Sequence, residues 1–278
     1  MSHNNSNVEL PSSQRVVITG LGVVASNGVG IEAFTEAIKN GASGIRYFQE
    51  LKDLGFSCCI GGIPEIDEAV KRQYLSELQL RNFNSHGILY GCMAGIDAWG
   101  DAGLSIQEEV DFDSGTIFGT GTSSVDKFRE SIYKIDEGKV RRLGSTAVAQ
   151  TMVSGVSAYL GGILALGNQV TTNSSACTTG TEGIMMGYDR IVNGHAQRML
   201  VGSCSDDGAY LWGGFDAMRV LNYKHNDNPM EGSRPMSATA SGFVPGGGAG
   251  ALVLESLESA LSREATIYAE ILGGHVNS

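Results

Sequence analysis

The residue best placed to do covalent chemistry is Cys177. It stands in SSACTTGTEGI, residues 174–184, among small hydroxyl side chains. The β-like run NQVTTNSSA (168–176) precedes it, and a helical pattern with Ile184, Tyr188, Ile191 and Val192 on one face follows. A cysteine at the start of a helix meets unpaired N–H groups and the positive end of the helix dipole, which favour the thiolate, the reactive form. The same N–H groups could stabilise an oxyanion on an acyl group bound to the sulfur. The plainer reading is that an unpaired cysteine is a small core hydrophobe. Cys58, Cys59, Cys92 and Cys204 lack the strand–turn–helix setting and take that reading.

The helix after Cys177 also carries Gly180, Gly183 and Gly187. Each interior glycine costs roughly 1 kcal/mol relative to alanine. A helix that retains three of them is expected to lie deep, with another backbone close by.

The elements that must hold this turn alternate between strand-like and helix-like patterns. RVVITG (15–20), GTIFGT (115–120), NQVTTNSSA (168–176), QRMLVGSCS (197–205) and GAGALVLES (248–256) read as five strands, and ATIYAEILGGHVNS (265–278) opens a sixth. Between them, 30–41, 81–103, 124–139 and 149–166 have helical spacing or small-residue helical composition. Such alternation predicts an α/β fold with a five-stranded, mixed but mostly parallel sheet covered by helices on both faces.

Bulk composition removes several function classes. The net charge of −11, with no basic stripe, argues against nucleic-acid binding. No apolar run is long enough for a membrane-spanning helix. The N-terminus MSHNNSNVELPSSQ is polar and reads as a frayed leader rather than a signal peptide. Five cysteines, an odd number with two of them adjacent and no metal-type spacing, fit a reducing cytoplasm. VVITGLGVVASNG places Gly20, Gly22 and Ala25 at the spacing of a dinucleotide fingerprint. Further loop glycines, Gly28 and Gly30, precede the helix, and GIRYFQEL supplies no clear strand-end acid, so nicotinamide binding is the weaker reading.

SSACTTGTEGI resembles the active-site segment of the β-ketoacyl-[acyl-carrier-protein] synthases, the condensing enzymes of the thiolase superfamily. RVVITGLGVVASNGVGIEAFTEAIKNGASGI resembles their opening strand, turn and helix. GTGTSSVDKF resembles the glycine-rich loop after their second strand, and the stretch from GGFDAM to ILG resembles the segment that closes their first half. The likeness runs in order from about residue 15 to the end.

This resemblance implies a thiolase-like fold and decarboxylative Claisen condensation on carrier-bound acyl chains. Cys177 would be the acyl acceptor, and its backbone N–H would form half of an oxyanion hole. Thr122, Ser123 and Phe215 would border the acyl pocket. The resemblance implies no metal or organic cofactor, and a dimer, with itself or with a related subunit. It also implies an acidic acyl carrier protein as partner, for which Lys71, Arg72 and Arg81, or Lys139, Arg141 and Arg142, would form a basic patch. The domains it implies are a flexible leader over 1–14, an N-terminal condensing-enzyme half over 15–258, and the beginning of a truncated C-terminal half over 259–278.

Two departures stand against it. The family's two second-half histidines have no match among His3, His86, His195, His225 and His275. His195 follows Gly194 and reads as part of a solvated helix cap, and His275 is expected in the last strand. Truncation is one explanation. A half-fold completed by another chain is a second, and a non-catalytic, chain-length-factor-like partner subunit is a third. The other departure is local: Ser237, Ser241 and Gly247 fall where the family commonly has acids, while Arg234 remains. That pattern points toward specialised polyketide or polyene synthesis rather than housekeeping fatty acids.

Overall fold

The computed structural model describes residues 11–81 and 83–277. Most of the expected leader, and His3, lie outside the described residues. Residues 11–14 form a turn in which the Gln14 N–H donates to the Pro11 carbonyl (2.8 Å).

The chain opens with strand β1 (Val16–Ala25), the short β2 (Gly28–Val29) and helix α1 (Ile31–Lys39). A small ribbon follows, β3 (Ile45–Tyr47) paired with β4 (Ile60–Gly62) around α2 (Gln49–Asp53). Helices α3 (Glu68–Tyr74), α4 (Glu77–Leu80) and α5 (His86–Asp101) lead to β5 (Ser114–Thr120). Then come α6 (Val125–Asp136), α7 (Ala147–Thr151), α8 (Gly155–Ile163), β6 (Val170–Thr171), α9 (Thr179–Val192) and β7 (Arg198–Ser205). Helix α10 (Ala209–Ala217), β8 (Gly248–Ser256), α11 (Leu257–Ser262) and β9 (Ala269–Ile271) complete the order.

The main sheet runs β2-β1-β8-β7-β5-β6, with β9 also paired to β1. Five of its strands, β1, β8, β7, β5 and β6, are the five expected from sequence. The sheet is mixed, as expected, with parallel and antiparallel pairings in equal number among these five strands. β5 is parallel to β6 and β7, whereas β8 is antiparallel to both β7 and β1. Alternating patterns locate strands but carry no information on the direction of pairing.

Helices cover both faces, as expected. On one side α5 packs on β1, β7 and β8 through Ile88, Leu89, Cys92, Met93 and Trp99. Burying each large apolar side chain there is worth roughly 1.5–3 kcal/mol. On the other side α9 packs on β5 and β7, with Ile191 against Val16, Met199, Val201 and Leu254. No helix among the described residues is long and apolar enough to cross a membrane.

Some boundaries move. The first strand continues past Gly20 to Ala25, so Gly20 and Gly22 are strand residues, not a phosphate-binding turn. A Cβ at either would land on a carbonyl oxygen of α5, Ala98 or Ala94 respectively. The apparent dinucleotide fingerprint is therefore the signature of a helix lying directly on a strand. The expected helix over 149–166 breaks at Met152–Ser154 into α7 and α8. His275 lies beyond β9, which ends at Ile271.

Candidate active site

Cys177 lies in a 3-10 turn, Ala176–Thr178, between β6 and α9. The strand expected to reach residue 176 ends at Thr171, because the polar residues after it are occupied in shaping the turn. Asn173 Nδ2 donates to the Thr179 carbonyl (2.8 Å) and to Glu182 Oε2 (3.1 Å). The Ser175 hydroxyl also donates to Glu182, and the Ser175 N–H donates to Thr179 Oγ1 (2.8 Å). The Thr179 hydroxyl in turn donates to the Ala176 carbonyl (2.7 Å). Bonds from Ser175 and then Asn173 hold the Glu182 carboxyl below its ordinary value of 4.5. Ala176 is held at a φ of 48°, in the left-handed region that a residue with a Cβ occupies only at a cost.

Threonine is a favoured helix N-cap. Thr178 nevertheless gives its hydroxyl to the Ser175 carbonyl (2.8 Å) and makes no side-chain cap bond to α9. No side chain from the N-cap therefore covers the first turn of α9 beside Cys177. Two of the three helix glycines make a close approach, but to side chains rather than to the backbone expected, and α9 buries one face rather than lying deep. A Cβ at Gly180 would stand 2.9 Å from Ser203 Oγ, and one at Gly187 2.5 Å from Val201 Cγ1, both on β7. Gly183 is looser, with nothing nearer than 3.6 Å.

Cys177 is exposed, and the other four cysteines are buried. Burial pushes the thiols of Cys58, Cys59 and Cys204 up, and that of Cys92 up to about 12. A buried thiol with a raised pKa is a poor nucleophile.

Cys177 opens into a cavity of about 600 Å³. Thr122, Gly180, Cys204, Leu211 and Phe215 form part of the wall, and the glycine run 246–248 forms another part. A smaller cavity of about 190 Å³ adjoins it, with Ser205, Leu211, Phe215 and Gly246 common to both. Phe215 is positioned from behind: the neighbouring Asp216 carboxylate accepts the N–H groups of Ser57 and Cys58, both at 3.0 Å, and so ties α10 to the chain before β4.

The structure thus brings Cys177, Thr122 and Phe215 to one cavity. Ser123 does not line it and is buried behind the loop, where its Oγ accepts from Ser124 Oγ at 3.5 Å. Lys71, Arg72 and Arg81 are not in the cavity wall either. Lys71 bonds Glu68 (2.7 Å) and Arg72 lies 4.0 Å from Glu77, so carboxylates offset part of that patch. Lys139 is likewise paired with Glu137 (2.6 Å).

None of the four described histidines lines the cavity. His86 Nδ1 lies 2.9 Å from Asp207 Oδ1, and that carboxylate raises the imidazole's pKa. His225 meets Asn222. His195 sits at the end of α9 as expected, its N–H donating to the Arg190 carbonyl (2.9 Å) after Gly194 turns left-handed. Gly247 stands beside Asp207: a Cβ there would come within 2.8 Å of the aspartate side chain. The position where an acid was expected is thus already filled by a carboxylate from β7's end.

Sequence reading passed over Asp206 and Asp207. Both are 5% exposed, directly after β7, and Asp207 also accepts from the Tyr90 hydroxyl (2.6 Å). The available signal was two acids at the end of a buried strand, where α/β sheets gather functional groups.

The family model for the β-ketoacyl synthase N-terminal domain matches residues 13–260. The 3-oxoacyl-[acyl-carrier-protein] synthase 2 of Vibrio harveyi is 33% identical over 94% of this chain and 62% of its own length. The crystal structure of a β-ketoacyl synthase from Burkholderia phymatum superposes with a TM-score of 0.83 at 27% identity, covering 93% of this chain and 63% of that one. A type II polyketide ketosynthase, solved in complex with its acyl-carrier protein and bound to the hexaketide, gives 0.78 at 27% identity over 92% and 61%. The chain spans about three-fifths of the length of these relatives. The thiolase-like sheet, the exposed cysteine at the head of α9 and the match over residues 13–260 together place this chain in the β-ketoacyl synthase family.

Proposed function

We propose that the chain carries the acyl-accepting half of a decarboxylative condensation in fatty acid or polyketide-type synthesis. The observation that carries this reading is that the exposed cysteine opens, at a helix N-terminus, into a cavity whose wall includes Leu211 and Phe215.

In the first step the Cys177 thiolate attacks the carbonyl carbon of an acyl thioester on a carrier protein. The tetrahedral oxyanion collapses, the carrier thiolate leaves and takes up a proton, and the acyl group stays on sulfur. The N–H of Cys177 and the uncapped first turn of α9 supply positive charge where that oxyanion forms. In the second step a malonyl thioester loses carbon dioxide, and the carbanion left behind attacks the acyl-cysteine. A carbon–carbon bond forms, and the cysteine thiolate is released. The acid–base groups for decarboxylation are not among the residues lining this cavity, so the first step is the one assigned to this chain's own side chains. Thr122 and Phe215 border the acyl tail. An acidic carrier protein is the partner, docking near Lys71, Arg72 and Arg81, and the working assembly is a cytoplasmic dimer, with itself or with a related subunit. Residues 15–258 form the first condensing-enzyme half, and residues 259–278 begin the second.

The test is intact mass after incubation with an acyl-carrier thioester. One acyl group per chain is expected, lost in Cys177→Ala and retained in Cys204→Ala. Equal labelling of the two variants overturns the assignment, and no labelling of the wild type overturns the acyl-accepting function.

A further inference from the structure

Two helices next to the cavity begin on serine, and neither serine caps its helix. Ser85 precedes α5 and Ser124 precedes α6; both are buried, and neither side chain bonds a first-turn N–H. Serine is among the best N-cap residues, so the departure needs a cause. Their hydroxyls meet each other instead, at 2.5 Å. The backbone donors of both helix ends go to one buried carboxylate. Asp206 Oδ1 accepts the Gly87 N–H from α5, and Oδ2 accepts the Ser124 N–H and the Val125 N–H (3.3 Å) from α6. Two helix N-termini aimed at one carboxylate offset part of what its burial costs, and burial still pushes the Asp206 carboxyl above its ordinary value.

The position of this carboxylate links it to the cavity. Asp206 directly follows Cys204 and Ser205, which line the wall from β7. Ser124 closely follows Gly121 and Thr122, which line the wall from the end of the neighbouring strand β5. Ser124 also has a φ of 62°, a left-handed conformation that a residue with a Cβ occupies only at a cost. The bond from its N–H to Asp206 falls on the one loop residue whose backbone most needs restraint.

We propose that Asp206 is a positioning residue for the acyl pocket: it pins the Gly121–Ser124 loop to the end of β7 and so holds Thr122 at the cavity wall. The acyl part of this statement rests on the function proposed above; the pin does not.

The test uses probes that need no acyl-transfer activity. Cys177 is alkylated in the folded full chain with N-ethylmaleimide and with N-octylmaleimide, and the ratio of the two rates is followed by peptide mass. Asparagine offers one acceptor oxygen and an NH2, so in Asp206→Asn one helix end faces a donor instead of an acceptor. The octyl-to-ethyl ratio is expected to fall about tenfold, the scale of one unmet buried donor. The N-ethylmaleimide rate should stay within about twofold, because the turn that carries Cys177 makes none of these bonds. A purely structural role would lower both rates in proportion to the folded fraction and leave the ratio unchanged. Asp206→Glu, which keeps the carboxylate but displaces it by one methylene, should shift the ratio the same way by about two- to threefold, and it serves if Asp206→Asn does not fold. An unchanged ratio in every variant that folds overturns the pin. If the wild type alkylates normally but takes no acyl group from a carrier thioester, the acyl-accepting function fails, and the maleimide ratio still judges the pin.

Discussion

Two helix–sheet crossings that rely on glycine can be set side by side, and one of them adjoins the candidate site. At the β1–α5 crossing, Gly20 and Gly22 lie under the carbonyls of Ala98 and Ala94, and backbone fills the space completely. At the α9–β7 crossing, Gly180 and Gly187 let the helix settle on Ser203 and Val201, and the end of the same helix opens on a cavity. Glycine spacing therefore reports proximity. Chemistry is reported by what surrounds the glycines: at α9, an exposed thiol, a turn tied by Asn173, Ser175 and Thr179, and a helix end with no side-chain cap.

Substitutions at the two crossings would sharpen this contrast. Gly22→Ala should have the largest effect, because its methyl meets a helix backbone that cannot move alone. A loss of about 3 kcal/mol or more in urea denaturation is expected, with failure to fold as the extreme. Gly187→Ala should cost less, about 1–2 kcal/mol, since the obstacle is a valine methyl and alanine regains helix propensity. Gly183→Ala has ordinary contact distances all round and should be neutral or stabilising by up to about 1 kcal/mol in the same assay. A cost at Gly183 equal to that at Gly187 would break the comparison.

The smallest effect concerns Glu182 and appears only in acid. Its folded pKa is lowered by Ser175 and Asn173, so the stabilisation is fully present above 4.5 and is lost as pH falls through the lower, folded value. Glu182→Gln should remove that acid sensitivity from the turn. The check is the Cys177 alkylation rate relative to the reagent's rate with a free thiol, from pH 5 downward. A wild-type profile identical to that of Glu182→Gln would mean that the carboxylate does not hold the turn.

Much of this was legible from local pattern. The β5, β7 and β8 strands and the α1 helix fall where hydrophobic spacing puts them, and Cys177 stands at a strand-to-helix turn as its neighbours indicate. What was not legible depends on partners distant in sequence. Strand direction at β8 is decided by β1 and β7 together, not by GAGALVLES. β6 is two residues long because Asn173 and Ser175 serve Thr179 and Glu182 rather than a ladder. Asp206 reads as a loop acid until Gly87 and Ser124 are seen to point at it. Ser123 and Thr122 are neighbours in sequence, and only the fold separates the buried one from the one at the wall.

The pairing of β1 with β8 also bears on how the protein is made. Val16 pairs with Ser256 and Val24 with Ala249, so the longest apolar strand of the sheet waits for residues more than 200 positions later. At ribosomal rates of about 5–20 residues per second, that wait is roughly 10–50 s. During it, Val16 and Val17, both buried in the finished protein, have no strand to pair with, and only the Val24 end of β1 can pair locally with β2. Contacts of such high order form late and slowly. The nascent chain is therefore expected to need shielding along its first strand, and ribosome-associated chaperone contacts should concentrate there until the β8 segment has emerged.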